Sequence, residues 1–149
     1  MRRSLTLTGL LFLFVFGLAH TGKARAAQMS AKAARVVKVA LKQRGVPYRW
    51  GGTSPRTGFD CSGFTRWVYA HVGVSLPHSS YAQFNMGRRV SLSRLKPGDL
   101  LFFYGLGHVG MYIGHGQYID APQTGERVHI KSVAHGLSAI DGARRILRG

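Results

Sequence analysis

Residues 58–64, GFDCSGF, contain the only cysteine among the 149 residues of this chain. A lone cysteine cannot form an intramolecular disulfide, and its usual alternative role is that of a small buried hydrophobe. The flanking residues indicate a different role here. Gly58 and Gly63 permit a tight turn with close approach of a substrate, and Asp60 is a suitable N-cap for a helix that begins at Cys61. The stretch therefore predicts a thiol presented at a helix N-terminus, where the reactive thiolate form is favoured.

Outward from this stretch, the apolar periodicity predicts helices first and short strands afterwards. The predicted helices cover residues 30–44 (with Ser30 as N-cap), 61–71 and 77–86. The predicted strands cover residues 99–104, 108–114, 117–120, 127–131 and 143–147, separated by turns that contain Gly or Pro. This order indicates an α+β fold in which N-terminal helices pack on a central antiparallel β-sheet.

The N-terminus has the features of a secretory signal peptide. Arg2 and Arg3 form a basic region, residues 5–19 are mostly apolar, and residues 24–26 (ARA) offer a cleavage site. We predict that residues 1–26 are a signal peptide and that residues 27–149 form a single domain. The densest apolar run, residues 10–16, is far below the length of a bilayer span, so we expect no stable membrane span after cleavage.

The chain is strongly basic, with 21 Lys and Arg against 5 Asp and Glu and a formal charge of +16. Loss of residues 1–26 would remove four basic residues and no acidic one, leaving about +12. Such a charge favours anionic surroundings. Since export is predicted, we expect electrostatic attraction to anionic polymers of the cell envelope. Since no nucleic-acid recognition motif is present, we expect no nucleic-acid partner. We also expect a monomer.

A nucleophilic thiol needs a base, and the chain has seven histidines. His108 opens a predicted strand in which it shares one face with Gly110 and Tyr112, while alternate residues form an apolar face toward the core. Its ring can therefore face an open site. The other histidines are weaker candidates: His20 leaves with the signal peptide, His71 lies at the far end of the cysteine helix, His115 falls on the opposite face, and His78, His129 and His135 have polar contexts that indicate surface positions.

Five motifs in this order resemble the NlpC/P60 family, papain-like cysteine peptidases of bacterial peptidoglycan. They are YRWGG (48–52), GFDCSGF (58–64), LKPGDL (95–100), HVGMYIG (108–114) and IDAP (119–122), within a resemblance that spans residues 30–149. The resemblance implies a papain-like fold with Cys61 as nucleophile and His108 as general base. Asp120 stands where many members have a histidine that orients the imidazole; a carboxylate accepts the imidazole N–H and stabilises the imidazolium better than a neutral ring would. Asp120 could instead close the Pro122 turn.

The resemblance also implies which residues line the substrate cleft. Tyr48 corresponds to a family tyrosine whose hydroxyl reaches the cleft, whereas Asp60 either meets a substrate amine or caps the helix. Residues 77–83 resemble the PRxSxxQ segment of the family, with His78 in place of the usual arginine. The candidate substrate-binding residues are Tyr48, Trp50, Asp60, Ser62, Ser79, Gln83 and Gly107. No HExxH or CxxC spacing is present, so we expect neither a metal nor another cofactor.

The predicted signal peptide and the resemblance together imply an exported cysteine endopeptidase, in the periplasm or extracellular envelope, whose catalytic domain is residues 27–149. It would hydrolyse peptidoglycan stem peptides, at the bond between γ-D-glutamyl and the diamino acid or at a D-Ala cross-link. Two alternatives stay open. One is a wall amidase or acyltransferase on the same fold, and the other is a non-catalytic, basic envelope-binding protein, against which the presence of both Cys61 and His108 argues.

Overall fold

The computed structural model describes residues 9–147, so the predicted basic region at Arg2 and Arg3 lies outside the described residues. The helices are α1 (Gly9–Leu41), α2 (Cys61–Ala70), α3 (Ser80–Phe84) and α4 (Val133–Gly136). The strands are β1 (Thr53–Ser54), β2 (Gly58–Phe59), β3 (Arg88–Val90), β4 (Leu100–Phe103), β5 (His108–Gly114), β6 (Gln117–Asp120), β7 (His129–Ser132) and β8 (Ile140–Arg145). Two short 3-10 turns cover Leu92–Arg94 and Leu137–Ala139.

Helix α1 begins much earlier than the sequence predicts. The predicted N-cap at Ser30 is wrong, because the helix already includes Gly9 and continues without a break to Leu41. Residues 23–34 are rich in Ala, Lys, Arg, Gln and Met and contain no Pro, so nothing local interrupts the helix before Ser30. Within residues 9–147, no helix combines the length and the hydropathy that crossing a membrane would require.

The predicted α+β class is confirmed by a six-stranded antiparallel sheet with the strand order β3-β8-β4-β5-β6-β7. All five predicted strands are present, with shifted ends for β4, β7 and β8. The sequence analysis missed β3 and the β1–β2 hairpin, which are too short to show an alternating pattern. Strand β5, which carries His108 at its first position, lies inside the sheet and not at its edge.

The main core lies between one face of the sheet and the first two long helices. Its buried side chains include Val36 and Ala40 from α1, Phe64 and Val68 from α2, and Leu100, Phe102, Val109, Met111 and Ile119 from the sheet. Burying one such large apolar side chain contributes about 1.5–3 kcal/mol. The core therefore holds α2, and with it Cys61, against the strand that carries His108. The opposite sheet face packs a smaller cluster of Leu101, Phe103, Tyr118, Val133 and Ala143.

Two glycines shape the entry to α2 as predicted. Gly58 adopts φ +108°, a left-handed conformation that disfavours other residues. A Cβ atom at Gly63 would stand 2.0 Å from the carbonyl oxygen of Gly52. That same oxygen accepts the backbone N–H of Asp60 at 3.0 Å. The loop before the cysteine is thus fastened directly to the first turn of α2, which fixes the direction in which the helix begins.

Candidate active site

Cys61 is the first residue of α2, and Asp60 caps the helix before it. Asp60 has an extended backbone, and its Oδ1 accepts the backbone N–H of Gly63 at 2.7 Å. The half-buried thiol therefore lies at the positive end of a helix whose first N–H groups point toward it. This placement agrees with the prediction for residues 58–64.

His108 and Asp120 come from neighbouring strands and form a close pair. His108 Nε2 lies 2.7 Å from Asp120 Oδ2, the histidine side chain is 12% exposed and the aspartate is fully buried. The Cys61 thiol lies near enough to His108 to affect the pKa of the imidazole. Because Asp120 occupies Nε2, the remaining ring nitrogen, Nδ1, is the one left to exchange a proton with the thiol.

The surroundings of His108 favour its charged form. Burial alone would lower its pKa, but the hydrogen bond to Asp120, followed by that to Cys61 and by the charges of both partners, outweighs burial and raises the pKa to about 9. His108 is therefore an imidazolium at neutral pH and loses its proton only as the pH rises toward about 9. An imidazolium in this position is a proton donor for a leaving group near the cysteine.

Tyr48 lies within electrostatic range of the candidate nucleophile. Burial raises the pKa of Tyr48, and the charges of Cys61 and Asp60 raise it further, so the phenol stays in its neutral, proton-donating form. The backbone N–H of Tyr48 donates to the carbonyl of Glu126 at 2.9 Å, which fixes this loop against a distant part of the chain. A neutral phenol beside the sulfur can donate a hydrogen bond to an oxyanion that forms there.

His78, for which the polar context predicts a surface position, is half-buried and contacts Asp60. Its Nε2 lies 2.8 Å from both carboxylate oxygens of Asp60, and its side chain is 27% exposed. Asp60 Oδ2 also accepts the backbone N–H of Gly51 at 3.1 Å. Of the two roles considered for Asp60, the structure shows the capping one. The carboxylate also links His78 to the backbone of Gly51.

Gln83 supports the site from behind α2. Its side chain is fully buried; Oε1 accepts the hydroxyl of Thr65 at 2.7 Å, while Nε2 donates to the carbonyls of Ser62 (3.0 Å) and Pro77 (2.8 Å). Since no part of Gln83 is exposed, it holds the first turn of α2 and does not contact a substrate. Ser79 likewise caps α3 through the backbone N–H of Ala82 at 3.3 Å.

The turn that precedes His108 is held on two sides. Leu106 adopts φ 69°, which is uncommon for a residue with a side chain. The hydroxyl of Ser80 donates to the Leu106 carbonyl at 2.6 Å, and the Leu106 N–H donates to Asp141 Oδ2 at 2.9 Å. These contacts fix where β5 and its histidine begin. Sequence reasoning missed Asp141, since it lies 35 residues from Leu106 and no local pattern connects them.

The remaining candidate residues differ in accessibility. Trp50 is 86% exposed, and Gly107 is exposed in the turn directly before His108. Ser62 is buried, and its hydroxyl lies 3.5 Å from Asp60 Oδ1, at the outer limit of a hydrogen bond. Trp50 and Gly107 are therefore free to meet a substrate, whereas the Ser62 side chain contributes to the first turn of α2.

A thiol at a helix N-terminus, paired with a histidine that a buried carboxylate orients, defines the class of site found in papain-like cysteine hydrolases. The sequence profile of the NlpC/P60 family matches residues 45–141. The chain belongs to this family.

Comparison with individual proteins gives the same assignment. The chain is 50% identical over 93 residues to the probable endopeptidase p60 of Listeria monocytogenes, which covers 60% of this chain and 19% of p60. It is 39% identical over 131 residues to the murein DD-endopeptidase MepH of Escherichia coli, covering 78% of this chain and 48% of MepH. The chain thus spans about a fifth to a half of the length of these curated relatives.

Solved structures confirm the papain-like fold. The crystal structure of the NlpC/p60 domain of the peptidoglycan hydrolase SagA matches with a TM-score of 0.69 and 45% identity. The match covers 76% of this chain and 97% of the SagA domain, so the compared region corresponds to the whole of that domain.

Proposed function

We propose that this protein is a cysteine endopeptidase that hydrolyses the stem peptides of peptidoglycan. The observation that carries the proposal is the His108–Asp120 pair at 2.7 Å, with Cys61 at the start of α2 near enough to affect the pKa of His108. The names of the relatives support the substrate class, because p60 and MepH are called endopeptidases and SagA is called a peptidoglycan hydrolase.

Acylation begins with attack of the Cys61 thiolate on the scissile carbonyl carbon. The carbonyl oxygen becomes an oxyanion near the N-terminus of α2, where the backbone N–H of Cys61 and the hydroxyl of Tyr48 stabilise it. The imidazolium of His108 then donates its proton to the leaving amine as the carbon–nitrogen bond breaks. The products of this step are the free amine and a thioester on Cys61.

Deacylation uses the same histidine in the opposite sense. Neutral His108 accepts a proton from a water molecule, whose oxygen attacks the thioester carbonyl, and collapse of the second oxyanion expels the Cys61 thiolate. Asp120 stabilises the imidazolium that forms again and keeps its ring oriented. The carboxylate product leaves, and the thiolate–imidazolium pair is restored.

The predicted target is the bond between γ-D-glutamyl and the diamino acid, or a D-Ala cross-link. We further propose that residues 1–26 direct export and that residues 27–149 act in the periplasm or extracellular envelope. The positive charge would attract the enzyme to anionic envelope polymers. Cys61, His108 and Asp120 would act in the same way on either of the two bonds.

Mass spectrometry of defined muropeptides and stem peptides tests the proposal. The wild-type protein should release fragments whose masses identify the cleaved bond, and Cys61→Ala should release none, because it lacks the nucleophile. Release of an intact stem from the lactyl group would instead identify a wall amidase. If folded wild-type protein with an alkylatable thiol cleaves none of these substrates, the endopeptidase proposal is wrong and the non-catalytic alternative gains support.

A further inference from the structure

Lys131 on β7 contacts the carboxylate that orients the proposed catalytic histidine. Its Nζ lies 3.3 Å from Asp120 Oδ2, the same oxygen that accepts His108 Nε2 at 2.7 Å. The other oxygen of this fully buried carboxylate, Oδ1, has no hydrogen-bond partner among residues 9–147. His108 and Lys131 therefore share a single oxygen atom.

Few of the basic residues that the structure describes form an ion pair with a carboxylate. The chain has 21 Lys and Arg residues, yet among the described residues only Lys131 and Arg145 pair with a carboxylate. The register of β6 and β7 places Lys131 opposite Tyr118 and His129 opposite Asp120. Lys131 is thus the diagonal neighbour of Asp120 on the same sheet face, within reach of a long side chain. Its side chain is 34% exposed, so it brings a partly hydrated ammonium to a dry carboxylate.

We propose that Lys131 is a positioning residue that controls how tightly His108 holds its proton, by sharing the Asp120 carboxylate with it. The inference deepens the proposed function, since it assigns the acid–base role to His108. Nothing in the sequence motifs of the site includes Lys131, which lies nine residues beyond the IDAP motif.

Lys131 can affect the proton affinity of His108 because of the charges of the four neighbouring groups. The thiolate of Cys61, the imidazolium of His108, the carboxylate of Asp120 and the ammonium of Lys131 alternate in sign and sum to zero. When His108 gives its proton to the leaving amine, Lys131 still neutralises Asp120. Without Lys131, that step would leave a buried carboxylate without any cation, which is unfavourable, and the imidazolium would retain its proton more strongly.

Other groups around Asp120 also affect the titration of His108. Tyr118 is on the same strand, and its pKa is raised to about 12, first by burial and then by the charge of Asp120, so it stays neutral in the relevant range. Besides Tyr118, the groups near the pair from the surrounding elements are Cys61 of α2, Tyr104 of the turn after β4, and His129 and Lys131 of β7, while Tyr48 responds to the charge of Cys61. Lys131 is the one permanent cation in this set.

The first experiment measures the proton affinity of His108 without substrate. NMR titration of the His108 ring in a Cys61→Ala background removes the coupled titration of the thiol. We expect Lys131→Met to raise the titration midpoint by about half a unit to one unit, because a nearby positive charge is lost. Lys131→Arg should stay within a few tenths of a unit of the parent, since it retains the charge. Lys42→Met, which removes a lysine from the turn after α1, should leave the midpoint unchanged.

The second experiment measures catalysis with Cys61 present. Lys131→Met should lower kcat at pH 7 about two- to threefold, as a more basic histidine is a weaker general acid, and should extend activity to higher pH. Lys131→Arg should restore both values. If the Met variant does not fold, Lys131→Gln replaces it. An unchanged NMR midpoint in the neutral variants, or the same shift in Lys131→Arg, would overturn the inference, whereas absent cleavage by wild type with a normal midpoint shift would contradict only the proposed function.

Discussion

At the scale of single residues, Asp120 is the departure from the family pattern that matters most for the chemistry. A histidine at this position would orient His108 as a hydrogen-bond acceptor, but it would add no negative charge. The buried carboxylate of Asp120 orients His108 and also adds a negative charge. Its hydrogen bond and its charge help to raise the pKa of His108 to about 9. Asp120 therefore helps to set both the geometry and the protonation state of His108, the proposed general acid.

Asp120→Asn tests this role. The amide keeps the size of the side chain but loses its charge, so the pKa of His108 should fall from about 9 and the thiolate–imidazolium pair should weaken. We expect kcat/KM at pH 7 to fall by about 100-fold or more. The upper pH limit of activity should also move to lower pH, as the imidazolium is lost earlier. A pH–rate profile of both proteins measures the shift, and an unchanged alkaline limit would contradict the assigned role.

At the scale of elements, the start of α2 depends on contacts that come from several segments. The cap from Asp60 and the close approach of Gly63 to Gly52 are local and visible in the motif. The buried amide of Gln83 and the imidazole of His78 reach the same turn from 21 and 18 residues away. The helix start is therefore held from the loop side and from the α3 side together, which keeps the thiol in one position.

Gly63→Ala should disrupt this arrangement. Its Cβ atom would stand 2.0 Å from a backbone oxygen, which cannot move aside as a flexible side chain could. We expect a loss of about 1–3 kcal/mol or more in the free energy of unfolding, together with slower alkylation of Cys61.

The matched control is Gly136→Ala. A Cβ atom there would lie 3.4 Å from the ring of Phe103, an ordinary contact, so the unfolding free energy should change by less than about 0.5 kcal/mol. Urea denaturation of the three proteins provides the comparison. Equal stability of Gly63→Ala and wild type would show that the loop adjusts without cost.

At the scale of the whole molecule, the excess of basic residues separates into two uses. Lys131 and Arg145 pair with buried carboxylates, and Arg145 joins β8 to Asp99 at 2.7 Å. Most of the other basic side chains add to a positive exterior that we propose attracts anionic envelope polymers. These two uses respond differently to salt, since ions screen exposed charges much more than buried pairs.

Binding to isolated peptidoglycan sacculi should therefore depend on ionic strength. The Cys61→Ala protein should bind less as NaCl rises from about 50 to 500 mM, where the screening length shortens to a few ångströms. Cleavage of a short soluble stem peptide by wild type should change little over the same range and serves as the control. Salt-independent sacculus binding would remove the proposed role of the positive charge.

The sequence by itself determined the features that depend on neighbouring residues. The start of α2 at Cys61 follows from glycines and a cap within seven positions, and β5 follows from alternation within a single strand. The start of α1 was predicted wrongly because helix-forming residues also precede Ser30. A single capping residue does not stop the helix from extending toward the N-terminus.

Only the tertiary structure decided which distant groups meet at the site. The Asp60–His78 contact, the Gln83 amide behind α2 and the attachment of Lys131 to Asp120 join residues that are 18, 21 and 11 positions apart. Local propensity carries no information about such pairs, because they arise when the helices dock on the sheet and its strands align. The sequence thus determined where Cys61 stands at the start of its helix, while packing decided how the surrounding charges are neutralised.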